Sequence, residues 1–187
     1  AIFEALQANL KNTPNAKAYN VGLSDEEKTV EFNYYPRVNT DSTSTPFDFD
    51  KQVDMFMTKY STGIARLAPK KVKRWIITKI LKYAYAPVKV NCAMKTMSQV
   101  IAENQIDQID LLKMDAENAD REVIAGIKEE DWKKIRQIVM EIHTNIPGGE
   151  TAVSDFTNLL KSKRFTFELD TDSRWSFVGS HMLWAKR

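Results

Sequence analysis

The sequence predicts an α/β fold built on a mostly parallel, doubly wound sheet, and three observations carry that prediction. Short apolar segments alternate along the chain with segments of helical period, the pattern of strand–helix–strand units. Two of these segments, residues 109–114 and 135–142, are apolar with little alternation, as expected of strands buried on both faces. The last two, residues 164–170 and 181–187, read as an antiparallel pair at the sheet edge.

Taken in order, the chain opens in a helix over residues 2–11, with apolar positions at Ile2, Phe3, Leu6 and Leu10, and Pro14-Asn15 ends it. Residues 17–22 read as a short strand, and residues 29–35 alternate Val30, Phe32 and Tyr34 with polar neighbours, a period-two strand stopped by Pro36. Residues 37–48 are rich in Ser, Thr, Asn and Asp and read as a loop. A helical pattern then runs from 49 to 85, broken by Pro69 and closed by Pro87. Strand 88–92, helix 96–104, strand 109–114, helix 120–127, strand 135–142 and helix 150–161 follow, before the closing antiparallel pair.

Composition narrows the function class. The 187 residues are 43% hydrophobic and 28% charged, which suits one globular domain with a real core. A formal net charge of +2 gives no electrostatic argument for nucleic acid. One cysteine, Cys92, rules out an internal disulfide framework and fits a reducing, cytoplasmic setting. No apolar run is of membrane-spanning length and no segment reads as a secretory leader, so no stable membrane insertion is expected.

The chemistry concentrates after strand 109–114. That strand delivers Asp115 and Glu117 just beyond its carboxyl end, where open α/β sheets bind ligands. Two carboxylates there can hold an amine, a hydroxyl or a metal. The plainer alternative is that Asp115 and Asn118 cap the following helix. At the end of strand 135–142, Glu141 and His143 are two apart and so share a side of the strand. A carboxylate beside an imidazole orients the ring and raises its basicity, as a general base requires. The alternative is an ion pair at a sheet end. Asp115, Glu117, Glu141 and His143 also make an oxygen-rich set with one imidazole, compatible with a divalent cation. Their spacing is not that of a metal motif, and no metal is assigned. His181, the other histidine, is read as structural or surface-lying.

The second half of the helical stretch carries Lys70, Lys71, Lys73, Arg74, Lys79 and Lys82. It is expected to be a solvated basic face, with Trp75, Ile76, Ile80 and Tyr83 packed inward. A phosphate, carrier or membrane-surface contact is the alternative. Trp132, Trp175 and Trp184 are expected as core or rim aromatics, with a substrate role open for Trp175.

Residues 112–120 read Leu-Lys-Met-Asp-Ala-Glu-Asn-Ala-Asp, followed by Val123-Ile124-Ala125-Gly126 and then by Glu141-Ile142-His143. This run resembles the FkbM-type methyltransferases, whose strand ends in Leu-Lys, an aliphatic residue and Asp, followed by Glu-Gly-x-Glu. A helix with a Gly and a strand ending Glu-x-His come next in that family. Asn20-Val21-Gly22-Leu23-Ser24-Asp25 resembles the family's strand end near the cofactor adenine. Asn118 stands where the family has glycine and Asp120 where it has glutamate. The family's glycine-rich cofactor loop and the acidic end of its second strand are absent from these residues. The expectation is a fragment of the domain with two strands and a helix missing, or else a rearranged fold.

The resemblance implies a Rossmann-like class I methyltransferase sheet over residues 1–187, interrupted by a helical insertion or lid at 46–88. It implies S-adenosylmethionine as cofactor and O-methylation of a hydroxyl on a natural product, glycan or carrier-bound intermediate. His143 would be the general base, oriented by Glu141. Asp115 would hold the cofactor amine or the substrate hydroxyl, with Glu117 second choice for either role. Leu23 and Ser24 would line the adenine pocket. A homodimer or a larger multidomain enzyme is compatible with this reading. The alternative is a non-catalytic methyltransferase-like binding or structural module.

Overall fold

Strands form wherever an apolar segment finds a neighbour to pair with, and this rule sets their lengths more strictly than composition does. The computed structural model describes residues 2–38, 49–59, 69–116, 119–144, 149–170 and 179–187. Most of the loop expected at 37–48 lies outside them, as does part of the insertion expected at 46–88. The chain folds as two compact units, one of residues 1–28 and 93–187 and the other of residues 29–92.

The larger unit holds a four-stranded sheet of β4 (Leu112–Met114), β5 (Gln137–His143), β7 (Ser180–Lys186) and β6 (Thr166–Asp170), in that order. β4 and β5 run parallel, with Leu112 beside Ile138 and Met114 beside Met140. β5 and β6 both run antiparallel to β7, so the closing pair lies where the sequence placed it. Burial of β4 and β5 differs from expectation. Ile138, Met140 and Ile142 are buried while Gln137 is exposed and Val139, Glu141 and His143 are half-buried. Lys113 is exposed between buried Leu112 and Met114. Only one face is fully packed, because α4 (Met97–Glu103), α5 (Asp120–Ala125) and α7 (Ala152–Ser162) feed one continuous core with Leu112, Met140, Ile142 and Leu183. Each fully buried aliphatic side chain there contributes roughly 1.5–3 kcal/mol. The other face therefore presents Lys113, Val139, Glu141 and His143.

Local signals fix the helix ends. Thr96 caps α4 in a reciprocal box: its hydroxyl accepts the Gln99 N–H at 3.1 Å, and the Gln99 side chain accepts the Thr96 N–H at 2.7 Å. Directly after the C-caps of α4 and α7, Asn104 and Lys163, come Gln105 (φ 51°) and Arg164 (φ 63°), both left-handed. The next residue in each case bonds back to the preceding turn, Ile106 N–H to Ile101 at 2.9 Å and Phe165 N–H to Leu160 at 2.9 Å. A short helix that the sequence reading missed, α6 (Glu129–Trp132), seats Trp132 edge-on against Phe165 in the core.

The expected strand at 17–22 is only β1 (Gly22–Leu23), because the ladder it can join, Met94 and Lys95, is two residues long. The expected strand at 88–92 is longer for the same reason: β3 (Val88–Lys95) continues until those residues meet β1. The opening helix is α1 (Ile2–Leu10), and none of its residues is buried.

In the smaller unit β2 (Lys28–Tyr34) lies beside β3. Its helices are α2 (Phe49–Lys59) and α3 (Lys70–Ala84), the latter starting directly after Pro69 as expected. Its buried apolar residues among those described are Tyr35, Val53 and Leu81. The inward packing expected of Trp75, Ile76, Ile80 and Tyr83 is not found. Leu81 is 3% exposed, whereas these residues are 63%, 43%, 60% and 67% exposed. The helix is apolar on two sides, and the unit buries the side carrying Leu81.

Candidate active site

The two parallel strands β4 and β5 bring the predicted polar residues to one end of the sheet. Because Met114 pairs with Met140, Asp115 and Glu141 each stand one residue further along adjacent strands. Asp115 accepts a hydrogen bond from Lys113 Nζ at 2.9 Å. The capping alternative is not seen for Asp115, since Ala119 occupies the N-cap of α5.

Glu141 and His143 project to the same side of β5, as their spacing predicted. Glu141 Oε1 accepts a hydrogen bond from the Ser180 hydroxyl on β7, whose backbone pairs with that of His143. The same oxygen lies 3.7 Å from His143 Nε2. His143 Nδ1 is buried and has no hydrogen-bond partner among the described residues. A buried polar atom without a partner costs free energy unless a ligand or a solvent molecule satisfies it. Ser180, which sequence reasoning did not single out, therefore helps to fix the carboxylate beside the imidazole.

Asp120 is the second addition. It begins α5, is 6% exposed, and accepts the Ala116 N–H at 3.3 Å. Burial pushes its carboxyl above the ordinary aspartate range, while the backbone hydrogen bond from Ala116 and the charge of His143 oppose that rise. Asp115 raises it further by like-charge repulsion. Asp115, Asp120 and His143 thus sense one another electrically, and with Glu141 they make an acidic strand end holding one imidazole. The signal was in the sequence, because Asp120 occupies the last acidic position of the motif.

Leu23 and Ser24 lie at the end of β1. Leu23 is half-buried against the core. Ser24 is fully enclosed: its N–H bonds to the Lys95 carbonyl at 2.9 Å, and its hydroxyl lies 2.9 Å from Asp25 Oδ1 and 3.2 Å from Glu122 Oε2. Helix α5 links the two regions, with Asp120 at the carboxylate cluster and Glu122 reaching Ser24. Gly126, just after α5, makes the link close, since a Cβ there would sit 2.2 Å from the Ser24 carbonyl oxygen. The Lys28 ammonium at 2.7 Å and then the Ser24 hydroxyl hold the Asp25 carboxyl below its usual range.

Glu117, Asn118 and Trp175 lie outside the described residues. Among the described residues no three metal-ligating side chains converge. His181 is half-buried, with Nε2 3.4 Å from the Thr144 hydroxyl. Trp132 is core and Trp184 is 42% exposed. A hollow over Gln137, Val139, Thr166, Glu168, Trp184 and Lys186 lies at the opposite end of β5 from His143 and contains none of the predicted site residues. No described helix is long and apolar enough to cross a membrane.

The family model for the methyltransferase FkbM domain matches residues 1–168. The chain is 34% identical over 99 residues to the 31-O-demethyl-FK506 methyltransferase FkbM of Streptomyces tacrolimicus, covering 53% of this chain and 36% of that protein. It is 30% identical over 179 residues to methyltransferase sdnD of Sordaria araneosa, covering 91% of this chain and 61% of that protein. It is also 29% identical over 175 residues to the AMB antimetabolite synthetase AmbE of Pseudomonas aeruginosa, covering 90% of this chain but only 8% of that one. The chain thus spans less than two thirds of each of these three relatives. No solved structure matches it at a significant level.

Proposed function

This chain belongs to the FkbM methyltransferase domain family, and from that premise we propose that it takes part in S-adenosylmethionine-dependent methylation of a hydroxyl oxygen. The observation that carries the proposal is the buried His143 nitrogen, without a hydrogen-bond partner among the described residues, beside Glu141 and at the same strand end as Asp115. The parallel β4–β5 pair followed by antiparallel β7 supports a class I, Rossmann-like reading of the sheet. A relative named for 31-O-demethyl-FK506 supports oxygen as the acceptor atom.

The residues present suit the cofactor. Acidic Asp115, Asp120 and Glu141 favour a cationic ligand, and S-adenosylmethionine carries both an ammonium and a sulfonium. When bound, it supplies an electrophilic methyl group. Asp115 holds the cofactor ammonium or the acceptor hydroxyl, with Glu117 as second candidate for either role, and Leu23 with the backbone around Ser24 borders the adenine. His143 takes the proton of the acceptor hydroxyl. Glu141, itself held by Ser180, orients the ring at Nε2 and stabilises the imidazolium that results. Positioning and proton removal are the protein's main contribution to such a displacement. The acceptor is a hydroxyl on a small molecule or a carrier-bound intermediate, the latter in a multidomain setting such as the similarity to AmbE suggests.

A second reading, a non-catalytic module of the same family, draws support from the complete enclosure of Ser24 and of His143 Nδ1. Calorimetric titration of the whole natural protein with S-adenosylhomocysteine separates the two. Saturable binding is expected, and its absence would transfer the assignment to the module. His143→Ala should keep that binding and lose turnover by about 10²–10⁴-fold, the usual contribution of a general base. Unchanged turnover would refute His143 as the base.

A further inference from the structure

We propose that α3 is an interfacial helix that seats the smaller unit on an anionic lipid surface. Its 15 residues carry Lys70, Lys71, Lys73, Arg74, Lys79 and Lys82 and no acidic residue. The helix is anchored from the side that carries Leu81. Arg74 contributes to that anchoring through ion pairs with Asp54 and with Asp50 on α2. What faces outward is not a polar surface. Val72 is 45% exposed, and with Trp75, Ile76, Ile80 and Tyr83 it completes five large apolar side chains left to solvent on one helix.

At 3.6 residues per turn these five spread over about 140° of the helix circumference. Lys79 falls within that arc, Lys71 and Lys82 border it on one side and the half-buried Lys73 on the other. Lys71, Trp75, Lys79 and Lys82 also share a shallow groove along the helix. Among the described residues no acidic side chain pairs with Lys71 or Lys79. Arg37 adds a further cation, 4.0 Å above the Tyr83 ring.

An apolar arc bordered by long cationic side chains is the pattern of a helix lying in a membrane interface. The apolar side chains enter the headgroup–acyl boundary, the lysine stems snorkel, and the ammonium groups meet lipid phosphates. Trp75 and Tyr83 have the amphipathic rings favoured at that depth. The helix has neither the length nor the apolarity to cross, so attachment is peripheral and reversible. Each lysine near such a surface strengthens attachment about fivefold, an attraction that salt weakens. The same outward set would be a costly exposed patch on a chain free in water.

The test is co-sedimentation of the full chain with phosphatidylcholine vesicles, with and without phosphatidylglycerol. Binding is expected only with phosphatidylglycerol, reduced by salt, with a blue shift of the Trp75 emission taken as the difference from Trp75→Phe. Lys71→Glu with Lys79→Glu should weaken binding about tenfold or more. Ile80→Glu should abolish it with unchanged circular dichroism; if that variant does not fold, Trp75→Ser with Ile80→Ser serves instead. No binding to phosphatidylglycerol vesicles overturns the proposal, as does undiminished binding by the double glutamate variant. A dimer that Ile80→Glu dissolves, in a chain that ignores vesicles, would give the face to a second copy and overturn it as well.

Discussion

Asp120 is buried at the start of α5 with its carboxyl raised by desolvation, and it shares a field with Asp115 and His143. Its folded-state value lies above the ordinary 3.8, so the folded chain binds this proton more tightly than the unfolded one. The resulting stability is present at low pH and is lost as pH rises through the folded value. Asp120→Asn keeps an acceptor for the Ala116 N–H and never ionises. It should therefore melt above the wild type at pH 7, with the gap closing as pH falls towards 3.8. Thermal melts over that range check the sign, and a lower melting temperature for the variant at neutral pH would contradict it. Asp115, Glu141 and His143 were legible as site candidates because each falls at the carboxyl end of an apolar strand. Asp120 was legible only as the last acidic position of the motif, and Ser180 was not singled out, since its proximity depends on an antiparallel partner that pattern alone does not place.

Gly126 works at the scale of the element. Its backbone has a negative φ (φ −76°, ψ 2°), so glycine is needed for space and not for a left-handed turn. A Cβ would overlap the Ser24 carbonyl at 2.2 Å and lie 3.3 Å from Thr96 Cα, both of them backbone atoms that cannot rotate away. Gly126→Ala should cost about 1–3 kcal/mol, the usual range for overpacking, measured by urea denaturation. It should also loosen the link between β1 and α5. Helix α3 shows what periodicity can and cannot say. The pattern groups Trp75, Ile76, Ile80 and Tyr83 on one side, but Ile77, Leu81 and Ala84 form a second apolar stripe, and only packing decides which is buried. Strand lengths carry the same lesson: apolar composition located β1 and β3, while the two-residue ladder between them set where each one starts or stops.

Over the whole molecule, stability is unevenly distributed. The larger unit shares one core running from Met97 to Ala185, whereas the smaller one buries Tyr35, Val53 and Leu81 among its described residues. Native-state hydrogen exchange should therefore show amides of α3 opening at lower free energy than those of β5 and β7. Equal protection of Leu81 and Leu183 would contradict this. The alternation of strands and helices and the closing antiparallel pair were legible because they rest on local pattern. The division into units was not, because β3 is one uninterrupted strand in sequence and yet serves both.

Gln105 and Arg164 end their helices in a backbone conformation that costs a side-chain-bearing residue about 1–2 kcal/mol and glycine almost nothing. In evolutionary terms, a lineage carrying this fold keeps two positions at which a single change to glycine restores stability lost elsewhere. New side chains at the strand ends, where the candidate site residues lie, can thus be tolerated before the fold itself is endangered.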